Sequence, residues 1–408
     1  MNYQLSLKWR STVSALWQDD SRRLGGLDLL RSAAIVSVVL CHYCIDKPFP
    51  IPFNRYGWVG VDLFFVLSGY LIGGQLFSLE LKHHSIPLKT FYLRRFLRTL
   101  PNYYVVLALF VAIPGLSPLT SLKEKLVFLP QYLTFTHNLF LVMPFFQLSW
   151  SLCVEEHFYL MLPLLICLWL KFKVKWIGWA FLLVILSQML LRAVIMIYGL
   201  RVLHLAHQQD ILAYMGNIYF PTYCRLDGLT IGVALAALRR YRPAQWSRLM
   251  THGNRLLSAG VTSLCLVFLL FLSNLYTLTG TALFTLLGVS FGLMTASALS
   301  PQCILSRVKS RAVTVLAELA YSIYLTHLIA FYAAGVVLNR FGLARYDTLT
   351  FIFTMGSVLG TSLTLFILVE NPLLHLRDER FAYKNPTTTE ISPQGGQYNL
   401  PVSLPVGP

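Results

Sequence analysis

The sequence predicts an all-α, polytopic bundle of about ten transmembrane helices with both termini in the cytoplasm. Three observations predict it. The 408 residues are 56% hydrophobic and only 12% charged, and their mean hydropathy is +0.61; soluble domains carry about 25% charged residues. Apolar runs of about 17 to 26 residues recur along the chain, the length that crosses bilayer hydrocarbon. The basic residues also segregate: 23 of the 33 Lys and Arg fall on one side of the predicted spans and 7 on the other. That is the cytoplasmic bias of membrane proteins. The net charge of +16 therefore orients the chain in a lipid bilayer and does not mark a nucleic-acid partner.

Each span has its own justification. Span 29–45 reads LLRSAAIVSVVLCHYCI and carries Arg31 and His42; the 28 polar and basic residues before it show no cleavage-site pattern. Span 57–79 opens GWVGVDLFFVLSGYLIGG, with Asp62 a few residues inside its outer end. Its Gly60, Gly69, Gly73 and Gly74 allow close helix approach or a local break. Span 91–113 begins with the basic head FYLRRFLRTLPNYY. The stretch 124–135 is apolar but too short to cross, so it is expected to be interfacial or re-entrant. Span 148–170 opens LSWSLCVEEHFYLMLP and brings Glu155, Glu156 and His157 into an apolar helix.

Spans 176–198 and 218–238 follow, the second with Arg225 and Asp227, which are expected to form a structural pair. The basic loop 239–255 is expected to be cytoplasmic and partly helical. Spans 256–272 and 280–300 are almost uncharged, span 313–338 holds His327 at mid-membrane, and span 348–370 ends on Glu370. Beyond 385 the chain is rich in Pro, Thr, Ser and Gly and is expected to be disordered. The chain thus divides into a cytoplasmic segment 1–28, a membrane domain 29–377 and a cytoplasmic tail 378–408. No internal repeat is evident, against a transporter built from repeated halves.

A charge at membrane depth costs about 2.5–3.5 kcal/mol on insertion scales, so Arg31 and His42 need a reason. Eleven residues at about 100° each make three turns plus about 20°, and place the two on one helix face with about 16 Å between backbones. Arg31 either snorkels to the interface or faces the bundle with His42. The second case suits a long anionic donor whose charged head stays cytoplasmic while its reactive end reaches inward, the form of coenzyme A and its thioesters. Arg95 and Arg98, three apart on one face, offer planar forks for phosphate oxygens. Asp62 either caps its helix or orients His42 as a carboxylate does in a catalytic dyad. Glu155 and Glu156 are adjacent and cannot share a face; one is expected in the cavity, the other on a cation such as Arg225. His327 is read as structural. Cys41 and Cys44 flank His42, but this set is too thin for zinc, and no metal is expected.

The series LDLLRSAAIVSVVLCHY, GVDLFFVLSGYLIG, FYLRRFLRTLPNYY, WSLCVEEHFYLMLP, RLDGLTIGVALA, AYSIYLTHL and VENPLL resembles acyltransferase family 3, in order over about residues 24–377. The resemblance implies a ten-helix enzyme of the bacterial inner membrane. It would move an acyl group, usually acetyl from acetyl-CoA, to a hydroxyl of a surface carbohydrate such as O-antigen or exopolysaccharide. The family's Arg-x10-His pattern matches Arg31 and His42, its Arg-x-x-Arg pattern matches Arg95 and Arg98, and its Trp-Ser-Leu-x-x-Glu pattern matches Trp150, Ser151, Leu152 and Glu155. Cys153, His157 and Asn371 stand where the family commonly has Ser, Gln and Lys. Arg31, Arg95 and Arg98 are thus expected to hold acyl-CoA, and His42, Asp62 and Glu155 to carry the chemistry. His42 is a general base or a transient acyl carrier. Rival readings are acylation of a small hydrophobic metabolite, a transporter or flippase of glycan precursors, and a sensory subunit without turnover.

Overall fold

The computed structural model describes residues 24–45, 56–117, 121–139, 145–172, 177–202, 211–272, 276–343 and 348–383. Residues 1–23 and the tail expected to be disordered, 385–408, lie outside the described residues. Among the described residues the regular structure is entirely helical, and a helix stands at every position where a span is expected. Among the described residues, eight helices are long and apolar enough to cross a membrane. The molecule is a multi-pass membrane protein of all-α architecture.

The first two spans are α1 (Gly25–Tyr43) and α2 (Gly60–His83). They form a spine shared by two apolar cores. On one side stand α3 (Leu88–Ala112), the start of α5 (Trp150–Phe172), α11 (Arg311–Arg340) and α12 (Thr348–Leu365). On the other stand α7 (Asp227–Tyr241), α10 (Tyr276–Ala298) and the end of α5. Between these come the short α4 (Leu122–Leu133), α6 (Ile177–Val202), the interhelical α8 (Pro243–Met250) and α9 (Gly253–Leu272). Only 11% of the apolar windows of α6 and α9 is buried inside the protein, so most of their surface is left for lipid.

The glycines of α2 bring α7 close. A Cβ on Gly73 would stand 3.2 Å from the Val233 Cα, and one on Gly228 3.1 Å from the Phe65 Cβ. Gly69 lies directly on the Leu229 backbone, and Gly60 on that of Ala34. Small residues permit such approach where no hydrophobic force drives helices together. Gly74 differs from expectation: it faces open space.

Backbone groups in hydrocarbon must be bonded, so breaks occur only where something else bonds them. The sixth span was expected to run unbroken over 218–238. Instead a π turn (Met215–Tyr219) and a 3-10 turn (Thr222–Cys224) precede α7. Pro221, with no N–H and a fixed φ, explains the break. The freed groups find side chains: Leu226 N–H donates to Gln188 Oε1 (3.2 Å), and Arg192 donates to Cys224 O (2.8 Å). The short stretch expected to be interfacial or re-entrant is α4, docked on the end of α3. Its buried Lys125 donates to the carbonyls of Phe110 (2.8 Å), Ile113 (3.3 Å) and Val111 (3.4 Å). A cation there meets the negative end of the α3 dipole.

At the other end, α12 passes through a π turn (Phe366–Glu370) into α13 (Asn371–Arg380). Arg94 holds the end of α13. Expected only as a basic flank, it bonds Asp378 at 2.7 Å and Phe381 O at 3.0 Å, and so closes the last turn onto α3. The basic loop 239–255 is partly helical as expected, through α8.

Candidate active site

α1 is unbroken, so Arg31 and His42 keep the register derived from their spacing. Each end of their shared face meets different partners. At the Arg31 end the predicted cations Arg31 and Arg95 lie within electrostatic range of Arg98, and so do Arg377 and Glu370. Arg377 and Glu370 were not among the expected site residues. The signal available for Arg377 was a basic residue in the last helix, which the positive-inside pattern already explained. Glu370 accepts a hydrogen bond from Ser322 Oγ at 2.6 Å, which ties α11 to the π turn.

Glu155 belongs to this end. Its carboxylate accepts from Ser68 Oγ (2.9 Å) and Tyr159 OH (2.8 Å), and Arg95 Nη2 stands 3.8 Å away. The Arg95 guanidinium also lies over the Tyr159 ring at 3.8 Å, a cation–π contact. Glu156 is buried on the neighbouring face, within electrostatic range of Arg95. Glu155 therefore holds Arg95 and not the His42 imidazole, and neither glutamate pairs with Arg225. The cause is depth: α5 presents both carboxylates beside the basic head of α3.

At the other end stands His42. Its Nδ1 lies 2.9 Å from Val38 O, one turn back, and 3.4 Å from His327 Nε2 on α11. The two rings have centroids 5.1 Å apart and an interplanar angle of 48°. His327, expected to be structural, stands where Asp62 would stand in the second of its two expected roles. Nothing in the sequence says that the first and ninth spans touch, and only that contact identifies it. Beneath it, Tyr324 OH donates to Leu148 O (2.8 Å) and meets Ser151 Oγ at 2.5 Å, which pins α11 to the start of α5.

Asp62 has other employment. It accepts from Arg225 Nη2 at 3.1 Å, both side chains being buried. The Arg225 guanidinium stacks 3.5 Å from the Phe284 centroid, with Tyr219 at 4.8 Å and Trp150 at 5.2 Å. The expected Arg225–Asp227 pair is absent as well. Asp227 takes Arg192 in a two-pronged bridge of 2.7 and 3.1 Å, with Thr285 Oγ1 donating to it at 2.5 Å. The helix break separates the two residues: Asp227 opens α7 and turns to α6 and α10, while Arg225 precedes the helix and turns to α2.

Cys153 and His157, two of the three departures from the family pattern, are both occupied. The Cys153 thiol lies 3.4 Å from His137 Nδ1, and His137 also meets Ser149 Oγ at 2.8 Å. His157 Nδ1 meets Thr222 Oγ1 at 2.8 Å, which fixes the broken sixth span to α5. Cys41 and Cys44 are both buried.

The arrangement can grip an anion with guanidinium groups at one end and offer an imidazole nitrogen about 16 Å along the same face. Comparison with known proteins identifies the family. A family profile described as acyltransferase domain matches residues 24–370. The peptidoglycan O-acetyltransferase OatA of Listeria monocytogenes serovar 1/2a is 32% identical over 157 residues, 36% of this chain and 24% of that protein. A Staphylococcus aureus (strain COL) protein whose name contains O-acetyltransferase is 30% identical over 241 residues, 53% of this chain and 35% of its own. The O-acetyltransferase OatA of Staphylococcus aureus (strain NCTC 8325) is 28% identical over 229 residues, 53% of this chain and 34% of that one. The match thus spans about a third or less of each curated relative. No solved structure matches the chain.

Proposed function

The chain belongs to the acyltransferase family whose domain profile covers residues 24–370, and from that premise we propose that it is an O-acetyltransferase of the bacterial inner membrane. Its donor is cytoplasmic acetyl-CoA and its acceptor a hydroxyl of a surface carbohydrate, such as O-antigen or exopolysaccharide. The name of the Listeria relative gives peptidoglycan as that protein's acceptor, which supports a glycan as the acceptor class here. The observation that carries the reading is the polarity of α1: Arg31 stands among Arg95 and Arg98 at one end, and His42 sits on the same face at the other.

Arg31, Arg95 and Arg98 hold the phosphates of the donor, with Arg377 beside them. Guanidinium forks suit phosphate oxygens, and their charge is already concentrated before the ligand arrives. The pantetheine arm follows the shared face of α1 toward His42. The acceptor hydroxyl loses its proton to His42 Nε2 as its oxygen attacks the thioester carbonyl carbon. The C–S bond then breaks, and the coenzyme A sulfur takes the proton back from His42. The acetyl ester and free coenzyme A leave, and the imidazole is neutral again. A base so placed contributes about 10²–10⁴-fold to the rate.

Labelled acetyl-CoA supplied to inside-out membrane vesicles, with and without the protein, tests the proposal. Mass analysis of the acetylated glycan then identifies the acceptor. His42→Ala is expected to insert normally and to lose transfer; undiminished transfer would remove His42 from the reaction. Transport of a glycan precursor without any need for acetyl-CoA would favour the flippase reading instead.

A further inference from the structure

His327 lies outside the resemblance-based assignment of site residues, yet it is the side chain that meets His42. Its Nδ1 is 3.0 Å from Ile323 O. A carbonyl oxygen can only accept, so this nitrogen carries the proton and His327 Nε2 is bare. The same logic applies to His42: Val38 O at 2.9 Å requires the proton on His42 Nδ1. The single His42 Nδ1–H is therefore shared in a three-centre contact between Val38 O, the nearer acceptor at 2.9 Å, and His327 Nε2 at 3.4 Å. His42 Nε2 is left as the basic nitrogen.

We propose that His327 is a positioning residue for the transfer: it accepts from His42 Nδ1–H, fixes the ring with Nε2 turned to the acceptor hydroxyl, and stabilises the imidazolium that forms. The inference rests on the reading of His42 as the base. Proton uptake at His42 Nε2 makes its Nδ1–H a stronger donor, so the contact tightens as the reaction proceeds. His327 occupies the place a carboxylate has in a hydrolase triad. A neutral partner avoids a second buried charge in hydrocarbon, which a lone carboxylate would bring. The partner is itself rigid. His327 is fully buried, stacked edge-on with Phe331 at 5.7 Å, and Tyr324 one turn below is clamped to Leu148 and Ser151.

The test compares His327→Phe with His327→Gln in vesicles, normalised to inserted protein. Phe keeps the ring volume and removes the acceptor; Gln carries an oxygen at about the reach of Nε2. A lost hydrogen bond to a charged group predicts kcat about 10–100-fold lower for His327→Phe, while KM for acetyl-CoA moves less than about threefold because phosphate binding is remote. His327→Gln is expected to recover most of that loss. In parallel, ¹⁵N NMR of histidine-labelled wild-type protein is expected to show His42 protonated at Nδ1 and bare at Nε2, with the Nδ1 resonance moved by His327→Phe and restored by His327→Gln. A His327→Phe variant with wild-type kcat overturns the role, as does a His42 proton on Nε2, which is readable without any variant. Wild-type protein that never consumes acetyl-CoA overturns the proposed function itself; wild-type turnover with an undiminished His327→Phe variant overturns only this inference.

Discussion

Replacing Asp62 by Ala separates two roles that look alike in the sequence. In the structure Asp62 is the carboxylate held by Arg225, at 3.1 Å, and the Arg225 side chain is 0% exposed. Its Nε and Nη1 have no hydrogen-bond partner. Removing one member of a buried pair leaves an uncompensated charge and typically costs about 3–5 kcal/mol. Removing both, as Asp62→Leu with Arg225→Met, leaves no buried charge. That double variant loses chiefly the stacking of the guanidinium on Phe284, worth about 1–2 kcal/mol for a desolvated cation. It is therefore expected to be more stable than Asp62→Ala alone. Equilibrium unfolding by SDS in mixed micelles, followed by tryptophan fluorescence, measures both. Acetyl transfer by the properly inserted fraction of Asp62→Ala is expected to persist. An Asp62→Ala protein that unfolds at the wild-type SDS fraction, yet transfers no more acetyl than His42→Ala, would refute the pairing argument and return Asp62 to the chemistry.

Two further outcomes follow from other parts of the bundle. Arg98→Ala is expected to raise KM for acetyl-CoA about 10–100-fold, the worth of a charge-assisted contact, with a smaller change in kcat; initial rates against acetyl-CoA concentration decide it, and an unchanged KM would count against Arg98 as a phosphate ligand. Lys125→Met keeps the side-chain stem but leaves the carbonyls of Phe110, Val111 and Ile113 without their donor. The same SDS titration is expected to show a loss of about 1–3 kcal/mol, with KM for acetyl-CoA unmoved.

Much of the fold was legible because each span must satisfy its own backbone within a fixed hydrocarbon thickness. Every expected span has a helix at its place, and Pro221 was a visible reason for the one that broke. The register of Arg31 with His42 followed from helical geometry alone, as it concerns a single helix. Partners across helices were not legible. Spacing tells which face a residue occupies but not which neighbour stands opposite at that depth. So Asp62 took Arg225 rather than His42, Asp227 took Arg192 rather than Arg225, and Glu155 took Arg95. The charged members of these exchanges other than Arg192 were found from the sequence, and their assignments moved. The His42–His327 contact needed the tertiary structure outright.

The unbroken α1 has one more consequence for the proposed reaction. Grip and reaction point ride on a single rigid rod, and so behave as the fixed jaws of a caliper. A donor is measured by the length from its phosphates to its carbonyl and not by the acyl chain beyond. One added turn of α1 would open the jaws by about 5.4 Å with no change in any side chain. A thioester stripped of its phosphates would arrive at the imidazole unheld. The tolerance for different acyl groups must then be set past His42, where Tyr43 packs edge-on against Phe331 and Phe351 at 5.8 and 5.4 Å.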